Sequence, residues 1–277
     1  MKFTTNDGLQ LVYDRHGKGA PCLYLHGGPG YWSKSFQQCT QRLLEEKLEM
    51  IYLDQRGCGR SDHCPNKNYS LQRLIDDVEQ LRHRLGIDEW YVMGHSFGGI
   101  LAVHYAHRFP DRTKGLILVN ASLHMLDSLR HQLTKGATIL GRPEKEHTTN
   151  DLDLIMKDYL AMVQTLLKND TYFTFQFVDI TQKKRMDEVD RDGLNSDVAF
   201  QRYVFSSLDY FQDFTPLTAK IMKPTLVIAG AYDHAIGPKH HQRFKFEHSD
   251  VRVLKSAHHP YLEHPSEFQQ AVLDFID

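Results

Sequence analysis

One stretch constrains this chain more than any other. Trp90–Met93 reads as an apolar strand, Gly94-His95-Ser96-Phe97-Gly98 as a tight turn, and the residues on to Arg108 as a helix stopped by Phe109-Pro110. The glycines two residues before and after Ser96 remove Cβ atoms that would otherwise collide across such a turn. The turn thrusts the serine hydroxyl from the C-terminal edge of a sheet. It also starts a helix whose free N–H groups and positive dipole end face that edge. A serine so exposed becomes a nucleophile once a base stands beside it.

The same alternation of strand and helix runs through most of the chain and specifies an α/β fold with a mostly parallel sheet. Strands are expected at Gln10–Asp14, Cys22–Leu25, Met50–Leu53, Trp90–Met93, Gly115–Val119, Thr225–Ala229 and Val251–Leu254. Helices are expected over Trp32–Leu48, over Ser70–Leu85 ahead of Gly86, from the Ser96 turn to Arg108, and over Pro265–Ile276. The alternation breaks after Val119. From Ser122 to about Asp213 there are only helix-like, aromatic-rich segments, and strand character returns at Thr225. The expected organisation is therefore a core of residues 1–121 and 214–277 with a helical cap, 122–213, inserted over the sheet.

Composition narrows the function classes. A chain of 277 residues suits one large domain or a domain with an inserted lobe. Its 33 Lys+Arg against 35 Asp+Glu lack the basic excess of a phosphate-backbone binder, so nucleic acid is not an expected partner. No apolar run approaches the roughly 20 residues that cross a bilayer, and Met1–Asp7 has no apolar signal-peptide region. Cys22, Cys39, Cys58 and Cys64 form no C-x-x-C pair, as expected for reduced thiols in a cytoplasmic protein. The 17 histidines show no metal-ligand spacing, so neither a metal nor any other cofactor is expected. Oligomeric state is not encoded in any readable feature.

Leu23-Tyr24-Leu25 leads into His26-Gly27-Gly28-Pro29-Gly30, a glycine-rich loop with neither phosphate-binding pattern. It reads instead as an oxyanion loop that approaches the Ser96 turn. Pro29 has no N–H to give, so Gly28 is the expected donor, together with the N–H of Phe97. With Asp54-Gln55-Arg56-Gly57-Cys58-Gly59-Arg60-Ser61 and Gly94-His95-Ser96-Phe97-Gly98-Gly99, this loop resembles the α/β-hydrolase superfamily, and within it the proline iminopeptidase family. The resemblance covers roughly residues 8–120 and 222–277, and it implies an α/β-hydrolase fold. It also implies that Arg56 and Arg60 are architectural, while Asp54 or Arg56 could border the pocket.

In that fold the chain order is serine, then acid, then histidine. Asp233 follows the apolar strand that ends at Gly230. Asn120, where some relatives carry the acid, cannot hold the charge. Two histidines, His258 and His259, follow the next strand. The segment Ser256-Ala257-His258-His259-Pro260-Tyr261-Leu262-Glu263 resembles the family's Ser-Gly-His-x-Pro-x-Leu-Glu pattern, which aligns His258 with the base and leaves His259 as the alternative.

Ser96, His258 and Asp233 specify acyl transfer through an acyl-enzyme but do not choose among amide, ester and thioester. The resemblance implies removal of an N-terminal proline or another small apolar residue from a short peptide. The alternative is a carboxylesterase- or lactonase-type hydrolase of small acyl esters. The chain departs from the family in having His234 after Asp233 and in lacking the tryptophan-rich, glutamate-bearing cap segment. Asp187, Glu188, Asp197, Asp209 and Asp213 are the possible anchors for a substrate ammonium. The pocket is expected to be walled by His26, Tyr31 and Trp32 from the loop and by Tyr203 and Tyr210 from the insertion.

Overall fold

The computed structural model describes residues 1–143 and 149–277; part of the expected insertion, 144–148, lies outside them. The strands are β1 (Lys2–Thr4), β2 (Gln10–Gly17), β3 (Ala20–Leu25), β4 (Leu48–Leu53), β5 (Trp90–His95), β6 (Thr113–Val119), β7 (Thr225–Gly230) and β8 (Ser249–Leu254). They form one sheet in the order β1-β2-β4-β3-β5-β6-β7-β8. The pairs β1/β2 and β2/β4 are antiparallel and the rest are parallel. Strands β5 and β7 are buried along their whole length, as continuous apolar runs between two helical layers must be. All seven expected strands are present. Strand β1 carries no sequence signal, because three residues are too few to show a period.

The helices of the sheet layers are α1 (Lys34–Leu44), α2 (Leu71–Leu85) and α3 (Gly98–Arg108). Ser70 caps α2 by accepting the Arg73 N–H at 3.4 Å, and Gly86 closes it at φ 65°. The expected helix Trp32–Leu48 is shorter at both ends. Leu48 pairs with Ala20 in the sheet, so the chain must turn after Leu44 to enter β4.

Between β6 and β7 lie α4 (Met125–Ile139), α5 (Leu152–Lys168), α6 (Thr181–Asp190) and α7 (Val198–Ser206), with no strand among the described residues. Helices α4 and α5 share a small apolar cluster around Leu129, Leu133, Ile155 and Phe175. By contrast, Phe200 and Val204 of α7, with Tyr210, join the cluster of the sheet body around Phe97 and Tyr69. Helices α8 (Pro260–Glu263) and α9 (Pro265–Ile276) complete the chain. No helix of the described residues is long and apolar enough to cross a membrane, and all four cysteines are free.

Candidate active site

The turn after β5 is built by steric exclusion. A Cβ at Gly94 would lie 2.5 Å from the Gly98 carbonyl oxygen, and one at Gly98 would lie 2.1 Å from that of Leu25. Only glycine lets the turn close on itself and press against β3. Ser96 takes φ 54° and is 8% exposed. Its N–H donates to Val119 O at 3.1 Å, and its carbonyl accepts from Gly99 and Ser122. Among the described residues its hydroxyl has no protein partner.

The loop after β3 is braced from behind. His26 is fully buried; its Nε2 accepts the Gln55 N–H at 3.1 Å, and its Nδ1 lies 2.9 Å from Gly27 O, which fixes the proton on Nδ1. Burial pushes the imidazole pKa down, keeping the ring neutral despite the nearby Asp54. Gln55 Nε2 returns a bond to His26 O at 3.0 Å. Asp54 accepts from the N–H and hydroxyl of Ser33 and from Arg60. Arg56, also fully buried, is paired with Asp77 and Asp7. None of Asp54, Arg56 and Arg60 lines the cavity described below; they hold the loop that does. Gly28 and Phe97 line it, and their N–H groups have no partner among the described residues.

Asp233 sits just beyond β7. Its Oδ2 accepts His258 Nδ1 at 2.9 Å and Asn120 Nδ2 at 2.6 Å, while Oδ1 accepts the N–H of Ala235 and Ile236. Burial pushes this carboxyl up, but the facing His258, the Asn120 amide and the Ala235 N–H outweigh it and hold the pKa below the usual carboxylate range. His259 has no carboxylate: its Nδ1 meets the Tyr261 hydroxyl at 2.8 Å, and its ring stacks on Phe177. Burial, with His258 and His95 nearby, keeps His259 neutral. His95 donates its Nε2–H to the His258 carbonyl at 2.9 Å, and burial pushes its pKa down to about 3.

A second set of bonds ties these loops to the segment before α6. His258 N–H donates to Gln176 O and His234 N–H to Phe175 O, each at 3.0 Å. Glu263 spans the same seam, accepting Ala257 N–H at 2.7 Å on one oxygen and Val178 N–H at 2.6 Å on the other.

Ser96 and His258 open into one cavity of about 520 Å³ beneath the helices that follow β6. Of the five expected wall residues only Tyr31 lines it. His26 is buried against Gln55 behind the loop, and Trp32 turns its indole N–H to Ser35 and Asp190. Tyr203 packs on Tyr69 and Tyr210, and Tyr210 sends its hydroxyl to Tyr69 O. The walls come instead from Met125, Leu129, Phe173, Phe177, Met186 and Phe205.

Of the expected acidic anchors only Asp187 lines the cavity. Asp197 caps α7 and receives the Tyr69 hydroxyl, Asp209 receives that of Tyr203, Asp213 pairs with Arg243, and Glu188 is exposed. Asp187 is gripped by Lys183 Nζ at 2.6 Å, and that ammonium sits 4.2 Å above the Phe173 ring. A second carboxylate, Asp190, escaped the sequence reading. It lines the cavity and accepts from the Tyr31 and Ser35 hydroxyls and the Trp32 indole at 2.8–2.9 Å. Its spacing of three from Asp187 on one helix was the available signal.

The comparisons with known proteins agree with this architecture. A family model for the alpha/beta hydrolase fold matches residues 21–265. A proline iminopeptidase of Heyndrickxia coagulans is 27% identical over 284 residues, 96% of this chain and 93% of that protein. A proline iminopeptidase-related protein of Thermus thermophilus superposes with a TM-score of 0.83 at 22% identity, covering 100% of this chain and 96% of that one. An esterase of Exiguobacterium antarcticum gives 0.75 at 21% identity, covering 100% and 98%. With its match over most of its length and its strand order in hand, the chain belongs to the α/β-hydrolase fold family of hydrolases.

Proposed function

We propose that this hydrolase is a serine enzyme with Ser96 as nucleophile, His258 as base and Asp233 as acid. One observation carries the reading: among the described residues, the only carboxylate bonded to a ring nitrogen of either loop histidine is Asp233, and the histidine it holds shares a cavity with Ser96. Because Nδ1 of His258 gives its proton to Asp233, Nε2 is the nitrogen that takes the Ser96 proton as Oγ attacks a substrate carbonyl. The unpartnered N–H groups of Gly28 and Phe97 are the donors for the oxyanion, each contributing about 3–4 kcal/mol of transition-state stabilisation. Nε2 then protonates the leaving group, and water clears the acyl-enzyme by the same steps in reverse roles. Residues 122–213 act as the cap over this chemistry.

Within that class, the substrate is a short peptide with a free N-terminus, beginning with proline or a small apolar residue. Asp190 supports this: it is a carboxylate on the cavity wall whose partners there are neutral donors. A substrate ammonium moved out of water needs such a partner. The proline iminopeptidase relative points the same way. The second reading, a small-acyl esterase, is favoured by Lys183, which neutralises Asp187 and leaves much of the wall apolar.

Rates on a proline p-nitroanilide and a short-chain p-nitrophenyl ester separate the two; turnover of the ester with none of the anilide would retire the peptidase reading. Ser96→Ala should abolish fluorophosphonate labelling and lower kcat about 10⁴-fold or more with unfolding nearly unchanged. Labelling that survives would remove Ser96 as nucleophile.

A further inference from the structure

Asn120 directly follows β6 at φ 43°, a left-handed conformation that asparagine adopts more readily than most residues with a Cβ. Its side chain is buried, and both hydrogens of Nδ2 are in use. One goes to Asp233 Oδ2 at 2.6 Å and the other to Ala257 O at 2.8 Å, directly before His258. The amide oxygen is buried with no partner among the described residues. Turning the amide over would set its oxygen against a carboxylate and a carbonyl, so the placement of the donor is forced.

We propose that Asn120 is a positioning residue of the triad, holding the acid loop and the base loop at a fixed separation and placing a second donor on the carboxylate oxygen that faces His258. This rests on the serine-hydrolase reading above. An oxygen that already accepts a strong hydrogen bond is a poorer base, so the shared proton stays on His258 Nδ1 and the carboxylate stays anionic. The position also demands an amide. A carboxylate there would crowd acceptors together, and a hydroxyl or a protonated carboxyl has one hydrogen for two acceptors. The orphaned oxygen is explained on the same grounds, as the group that must accompany a two-hydrogen donor of this reach.

Asn120→Asp and Asn120→Ala test the assignment. In Asn120→Asp the new carboxyl donates to Asp233 while protonated, but once ionised it faces a like charge across a hydrogen-bond distance. Its kcat/KM should therefore gain a descending alkaline limb that the native enzyme lacks, and a profile parallel to the native one would overturn the proposal. Asn120→Ala should lower kcat about 10- to 100-fold with KM within about twofold, by analogy with the loss seen when the hydrogen-bond partner that orients a metal-ligating histidine is removed. A kcat within twofold of native overturns the proposal as well. The downfield proton resonance of His258 Nδ1–H, read in both variants, should shift from its native position; an unmoved resonance in both is a third refutation and needs no turnover. If the native protein takes no fluorophosphonate at Ser96, the serine-nucleophile reading falls, and that resonance still decides whether Asn120 controls the Asp233–His258 bond.

Discussion

The cavity has two walls made by different rules. At the sheet edge, Ser96 and His258 are held by backbone bonds, and the glycine loop presses so close to the Ser96 turn that a Cβ on it has no room. Across from them, Lys183, Asp187 and Asp190 on α6 are fixed by side-chain tips: an ammonium on a ring, and hydroxyls and an indole on a carboxylate. A wall set by backbone cannot take an added atom, whereas one set by side-chain tips can change chemistry without moving. On the function proposed above, the first wall would break the bond and the second would choose the substrate.

Gly98→Ala gives the sharpest way to break that contrast. Its methyl has no rotamer to escape the Leu25 carbonyl, so we expect a loss of about 4 kcal/mol or more in urea unfolding. A loss below about 1 kcal/mol would mean the sheet wall yields after all. Acid should act on the same wall. His26, His95 and His259 are buried and neutral when folded, with pKa values pushed down by burial, while the unfolded chain protonates each near pH 6.5. The unfolded state thus binds more protons below that pH, and stability present above about 6.5 is lost as pH falls, by up to about 1.4 kcal/mol per unit for each ring. Thermal unfolding from pH 7 to pH 5 reads this slope; His95→Gln, which still donates to the His258 carbonyl, should flatten it. On the opposite wall, Asp190→Asn should raise KM for a cationic peptide substrate about tenfold with kcat within about threefold. An equal fall in kcat would carry α6 into the chemistry and erase the distinction.

The same division explains what could be read from the sequence. The strand–glycine–helix pattern around Ser96 and the strand ends before Asp233 and the two histidines are local features that point to the fold, and the family resemblance then singles out His258 as the candidate base. Trp32, Tyr203 and Tyr210 failed as wall residues because an aromatic pattern says that a side chain is buried but not against what; each packs beside the site rather than in it. Asp190 failed for the complementary reason. A charged residue on an amphipathic helix reads as solvated, and its partners Tyr31 and Trp32 lie more than 150 positions away. Asn120 was legible only as a residue unable to be the acid; its two donated bonds depend on Asp233 and Ala257 arriving from the far side of the insertion.

The seam between residues 175–179 and the loops of Asp233 and His258 makes the position of the imidazole depend on the segment before α6. Gln176 holds the very peptide that carries the base, and Glu263 rivets both sides. Prying the roof up along that line would drag the imidazole off its carboxylate. At the far margin the tie is made by side chains alone, with the Tyr31, Trp32 and Lys34 tips reaching Asp190 and Asp192.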